Sequence, residues 1–96
     1  MKNTFDISEF VPAITEQSVT EALVERVKAR RKELKITQKQ LAVRSGVSYG
    51  SIRRFELSGE ISLSSLIKIA DALDCLQDFN ELFKRKAITS LKDYQV

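Results

Sequence analysis

The sequence predicts an all-α fold, a compact bundle of about five short helices with an extension at each end. Three observations predict it. From residue 18 onward, apolar residues recur at helical rather than alternating spacing. Ser or Thr stands three places before Glu or Gln where helices are expected to open, as in Ser18–Glu21 and Thr37–Gln40. No convincing strand pattern interrupts residues 18 to 83.

The first helix is expected over Val19 to Leu34, capped by Ser18 and Glu21, with Val19, Leu23, Val27 and Leu34 on its inner face. Thr37 and Gln40 open a second, Gln38 to Arg44, which turns Leu41 and Ala42 inward. Gly46 supplies the positive φ of a helix C-terminal cap or tight turn. Ser48 then caps a third helix, Tyr49 to Leu57, with Ile52 and Phe55 inward, which ends at Ser58-Gly59-Glu60. Ser62 caps a fourth, Leu63 to Leu73, built on Leu66, Ile67, Ala70 and Leu73. A last short helix from Asp74 or Cys75 carries Leu76, Phe79, Leu82 and Phe83. Phe79, Leu82 and Phe83 read equally well as core or as an interface between two copies. Upstream, Ile7, Phe10, Val11 and Ile14 have helical spacing, but Pro12 opposes a helix there, so an extended arm and a broken helix both stay open.

Composition bounds the function. Ninety-six residues suit one domain, with 43% hydrophobic and 30% charged residues typical of a globule that packs a core. The expected division is an N-terminal arm (1–17), a helical domain (18–83) and a basic C-terminal tail (84–96). No apolar run approaches the roughly 18 residues of a membrane span and no secretory leader is recognisable, so a cytoplasmic protein without membrane contact is expected. The single cysteine, Cys75, forms no internal disulfide and reads as a small buried hydrophobe or an inert edge residue. Without histidine, a structural zinc site and the commonest general base are both missing. Asp71, Asp74 and Asp78 are spaced along helices, and a catalytic carboxylate pair among them is not expected. No catalytic residue, metal or cofactor is expected, and the chain does not read as an enzyme.

Charge is segregated. The net charge is +3, yet residues 26–54 hold ten Lys/Arg against Glu33 alone, a local +9. Residues 1–25 hold one Lys against five acids, and residues 55–83 hold Lys68 against six. A basic centre between acidic flanks is the footprint of a polyanion partner. Within it, two helices of about seven to nine residues joined by a short glycine-containing turn make a helix-turn-helix. Leu41, Ala42, Val47, Ile52 and Phe55 lock the pair, which leaves Ser48, Tyr49, Gly50, Ser51, Arg53 and Arg54 outward. Such a face suits a DNA major groove. Gly50 lowers helix propensity by about 1 kcal/mol relative to Ala, a cost that a close approach to DNA or a partner would justify.

Arg31, Leu34, Thr37-Gln38, Leu41-Ala42, Gly46-Val47-Ser48, Ile52, Glu56, Gly59, Leu66, Ile69-Ala70 and Leu73 resemble the Cro/cI-type (Xre-family) helix-turn-helix domain, which is lambda repressor-like in fold. The resemblance spans about residues 20–74. Ile52 to Glu56, Gly59 to Leu63 and Leu76 to Phe83 are further similar to HipB-like regulators, antitoxins and autorepressors encoded beside HipA-type kinases. The resemblance implies a sequence-specific regulator of transcription that binds double-stranded DNA as a homodimer on an inverted-repeat operator. It also implies an autorepressor and antitoxin-like partner of a HipA-type kinase toxin; the alternative is a stand-alone Xre-type or phage-type repressor. By position, Gln38 matches a glutamine that bonds a DNA phosphate. Tyr49, Gly50 and Arg54 match positions facing base edges, while Arg44, Ser48, Ser51 and Arg53 are placed for phosphates. Tyr49 and Gly50 depart from the polar residues often found there and shift weight to thymine methyls or DNA shape. Tyr49 could instead pack over the turn, and Ser51 could be simply solvated. Arg31 and Glu56 match a structural ion pair that joins the first helix to the end of the third.

Overall fold

The computed structural model describes residues 13–86. These form α1 (Glu16–Glu33), α2 (Gln38–Ser45), α3 (Tyr49–Ser58), α4 (Leu63–Ala72) and a short 3₁₀ helix, η1 (Leu76–Glu81), with no strand among the described residues. The predicted all-α class holds. The expectations for the terminal segments, Ile7, Phe10, Val11 and Pro12 included, fall on residues 1–12 and 87–96, outside the described residues.

α1 starts one turn earlier than its sequence signal suggested. Thr15 is the N-cap: its hydroxyl accepts the Ser18 N–H, and Ser18 Oγ accepts the Thr15 N–H, each at 3.0 Å. Ser18 is therefore the inner member of a capping box rather than its opener. Glu21 accepts instead from Gln17 Nε2, one turn back, at 2.9 Å. The inner face is rotated too. Val24 is buried and Leu23 and Val27 are half-buried, while Val19 is 52% and Leu34 42% exposed. Two contacts set this rotation. Thr20 and Val24 meet the backbone at Gly59, and Arg31 turns into the interior, two turns beyond Val24.

α2 and α3 follow the sequence closely. Thr37 and Gln40 close a reciprocal capping box on α2 at 3.0 and 2.8 Å. Gly46 ends that helix in the left-handed conformation, φ 77°, which a side chain would strain. Ser48 caps α3 by accepting the Ser51 N–H at 3.1 Å. Gly59 closes α3 at φ 85°, where a Cβ would overlap the Thr20 methyl, so both conformation and space demand glycine.

Ser62 caps α4 by accepting the Ser65 N–H. Its deepest residue is Ile69; of the four residues expected inward, Ala70 and Leu73 are buried and Leu66 and Ile67 half-buried. Ile36, Leu41, Val47, Ile52, Ile69 and Leu73 form one core cluster, edged by Val27, Ala42, Ile61, Ala72 and Cys75. Each fully buried Leu, Ile or Phe contributes about 1.5–3 kcal/mol. α3 contributes Ile52 to this cluster and also buries Phe55, at 0% and 1% exposed, so the helix is fixed from beneath. Phe79 is half-buried, whereas Leu82 and Phe83 are 56% and 97% exposed, so among the described residues the core alternative fails for these two. Cys75 is half-buried and donates its thiol to the Leu73 carbonyl at 3.3 Å.

Candidate nucleic-acid interface

The interface is built on a buried ion pair. Arg31 Nε and Nη2 donate to the two carboxylate oxygens of Glu56 at 2.8 and 2.9 Å, a fork-to-fork geometry. Nη1 of the same guanidinium donates to the Ile36 carbonyl at 3.0 Å, and Gln38 Nε2 donates to Glu56 Oε1 at 2.9 Å. The two charged side chains are 11% and 4% exposed. One cluster therefore joins α1, the loop after it, the first residue of α2 and the last turns of α3. Burial pushes the Glu56 carboxyl up. The hydrogen bonds from Arg31 and Gln38 and the positive charges of Arg31 and Lys28 outweigh burial and hold it below the ordinary glutamate range.

With Ile52, Phe55 and Glu56 inward, helical geometry turns Gly50, Arg53 and Arg54 outward, while Tyr49, seven residues before Glu56 and so on its side of α3, is exposed at the first turn. All four are exposed. From Tyr49 to Arg54 the face runs about 8 Å at 1.5 Å per residue, short enough for a major groove about 12 Å wide. Among the described residues, nothing beyond its chain neighbours and the backbone of its own helix lies within 4 Å of the place a Gly50 Cβ would occupy, so no contact there calls for glycine. Tyr49 is 39% exposed and lies beneath Lys39 Nζ, 5.4 Å from the ring centroid. That cation–π contact steadies the ring between α2 and α3 and is worth about 0.5–1 kcal/mol at an exposed site.

Ser48 and Ser51 sit together on the first turn, their hydroxyls bonded at 2.9 Å. Gln38, half-buried at the start of α2, is tied to α3 through Glu56. Its amide nitrogen carries a second proton that this bond does not use. Arg44, in the last turn of α2, and Arg53 are exposed and make no ion pair among the described residues. Arg54 does have a partner: Nε and Nη2 both donate to Glu60 Oε1, at 3.0 and 2.6 Å. The structure thus gathers five of the sequence-derived residues on α3 with Ser48 as its N-cap, ties Gln38 to that helix through Glu56, and places Arg44 in the last turn of α2. It also adds two side chains that sequence reasoning did not single out. Lys39 was hidden because only the packing of α2 on α3 brings it over Tyr49. Glu60 was hidden because it lies beyond the glycine that ends α3.

Among the described residues no helix is long and apolar enough to cross a membrane, and no group of His, Cys, Asp and Glu could hold a metal ion. Residues 27–76, which run from the middle of α1 into the start of η1, match the family described as Helix-turn-helix. No curated protein and no solved structure matches the chain at a significant level. The matched segment is more than half of the chain and contains the two capped helices, the left-handed glycine turn between them and the ion pair beneath them. The chain belongs to the Xre/Cro-type helix-turn-helix family of DNA-binding transcription regulators.

Proposed function

We propose that the chain is a sequence-specific repressor that reads DNA through the outward face of α3. The observation that carries this reading is the exposed face of Tyr49, Gly50, Arg53 and Arg54 on a helix anchored by Ile52, Phe55 and the Arg31–Glu56 pair. Tyr49, Gly50 and Arg54 meet base edges, where a bidentate arginine on guanine discriminates by about 1–3 kcal/mol. Gln38, Arg44, Ser48, Ser51 and Arg53 take phosphates, Gln38 with its unused amide proton and the N-terminus of α2. Two copies on an inverted repeat would set two α3 helices about 34 Å apart, in successive major grooves. The domain of residues 18–83 does this work, with the arm and the basic tail flanking it.

Resemblance to HipB-like regulators supports the finer reading of a cytoplasmic autorepressor and antitoxin-like partner of a HipA-type kinase. Its support is the likeness of Ile52 to Glu56, Gly59 to Leu63 and Leu76 to Phe83, the last of which exposes Leu82 and Phe83. The stand-alone repressor differs from it in one observable: whether a kinase is encoded beside this gene and co-purifies with the chain. The DNA reading is tested by fluorescence anisotropy on the chain's own upstream DNA and on a shuffled duplex at one near-physiological salt. A preference of about a thousandfold or more is the expected result, the low end for specific binders. Equal, weak binding to both would overturn sequence-specific recognition.

A further inference from the structure

Glu60 occupies only part of Arg54. An arginine offers two hydrogen-bonding edges in one plane, Nε–H with a neighbouring Nη, and the two Nη groups end-on. Nε and Nη2 of Arg54 both point to Glu60 Oε1, which takes the first edge. The end-on edge, Nη1 with the second proton of Nη2, has no hydrogen-bond partner among the described residues. That edge has the spacing that guanine O6 and N7 accept together.

The pair is held in place by the way α3 ends. Gly59 reverses the chain at φ 85°. Ser58 Oγ donates to the Arg54 carbonyl at 2.8 Å and accepts the Glu60 N–H at 3.2 Å, which returns the carboxylate to the level of Arg54. Arg54 and Glu60 remain 69% and 65% exposed, so the pair lies at the surface beside the groove-facing residues and is not enforced by burial. A surface pair of this kind contributes little to folding. Its consequence is for the freedom of Arg54, a long side chain that otherwise must be ordered at the moment it meets a base.

We propose that Glu60 is a specificity-determining residue that positions Arg54 with its end-on edge toward guanine. This rests on the DNA-reading role of α3 proposed above. The carboxylate also opposes DNA phosphates, so it weakens binding to any duplex while sharpening the choice among duplexes. Those two effects have opposite signs when Glu60 is neutralised, and this separates positioning from plain charge.

Duplexes are selected from a randomised library with the wild-type protein. Affinities for the best selected duplex and for unselected library DNA are then measured at fixed salt for wild type, Glu60→Gln, Arg54→Ala and the double variant. Circular dichroism melts confirm that each is folded. Glu60→Gln is expected to bind library DNA more tightly and selected DNA more weakly, cutting the selected-to-library ratio by about five- to tenfold, part of a bidentate contact's worth. The loss should concentrate at a G·C pair whose replacement Arg54→Ala no longer senses. In the Arg54→Ala background, Glu60→Gln should leave the ratio unchanged. Tighter binding of both DNAs by one common factor, or an unchanged ratio, would overturn the positioning role while leaving α3 as the reading helix. Failure of the wild type to enrich any sequence would overturn both.

Discussion

Replacing Glu56 by alanine tests whether the ion pair under α3 holds the domain together. The substitution removes the acceptor for two of the three Arg31 donors, Nε and Nη2, and leaves only the bond from Nη1 to the Ile36 carbonyl. The guanidinium is 11% exposed, so water cannot fully replace what is lost. Breaking such a pair from one side costs about 3–5 kcal/mol, because a charge stays buried without its partner. Against a whole-domain stability of about 5–15 kcal/mol, that is a large share. For a chain this size it lowers Tm by at least about 12 °C, at about 4–8 °C per kcal/mol. Thermal and urea melts followed by far-ultraviolet circular dichroism measure it. The control is the double variant Arg31→Met with Glu56→Leu, which buries apolar groups instead and should recover most of the loss. A Glu56→Ala loss below about 1 kcal/mol, the value of an exposed pair, would refute the reasoning.

Other expectations follow from the same geometry. Glu56 is held below its ordinary range, so the pair's stability is fully present above the unfolded value of about 4.3 and is lost as pH falls through the folded value. The gap in stability between wild type and Glu56→Gln should therefore be flat from pH 6 to 8, by urea titration, and narrow below about pH 4.3. Gly50→Ala, with open space around the new methyl, should raise stability by about 0.5–1 kcal/mol, seen as a higher Tm, while lowering operator affinity in anisotropy. Gly59→Ala should do the reverse to the fold. Positive φ and the Thr20 methyl both oppose it, and a loss above about 1 kcal/mol in the same melts is expected. Arg54→Ala should cost more affinity on the operator than on random DNA. Arg44→Ala should weaken both alike and reduce the salt slope by about one.

Much of this molecule is written in local chemistry. The Thr37–Gln40 box, the left-handed turn at Gly46, the Ser48 cap and the inward Ile52 and Phe55 each depend on residues a few places apart, and each was legible. The start of α1 was not, because Ser18 stands where a capping box normally carries Glu or Gln, and Ser18–Glu21 offered a more familiar pattern one turn on. Nor was the inner face of α1. Which stripe of an amphipathic helix turns inward is set by its neighbours, here Gly59 against Thr20 and Arg31 against Glu56. The same limit applies to the candidate site. Its exposed residues on α3 follow from helical spacing, whereas the partners of Tyr49 and Arg54, namely Lys39 and Glu60, exist only after α2 and the end of α3 are folded into place.

The bond from Gln38 to Glu56 has a consequence for how the protein searches DNA. It couples the start of α2 to the last turns of α3, so on the proposed assignment the groups for the backbone and those for the bases approach a duplex in one fixed register. On the proposed reading, little polypeptide has to order itself when the right site is met. What must still be immobilised is a few long side chains, Arg44 and Arg53 foremost, at about 0.5–1.5 kcal/mol each. A preformed reader of this kind samples each register as a rigid body and rejects wrong ones quickly. Its binding heat capacity should accordingly reflect the contact surface alone, without the larger signal of a segment that folds on its target.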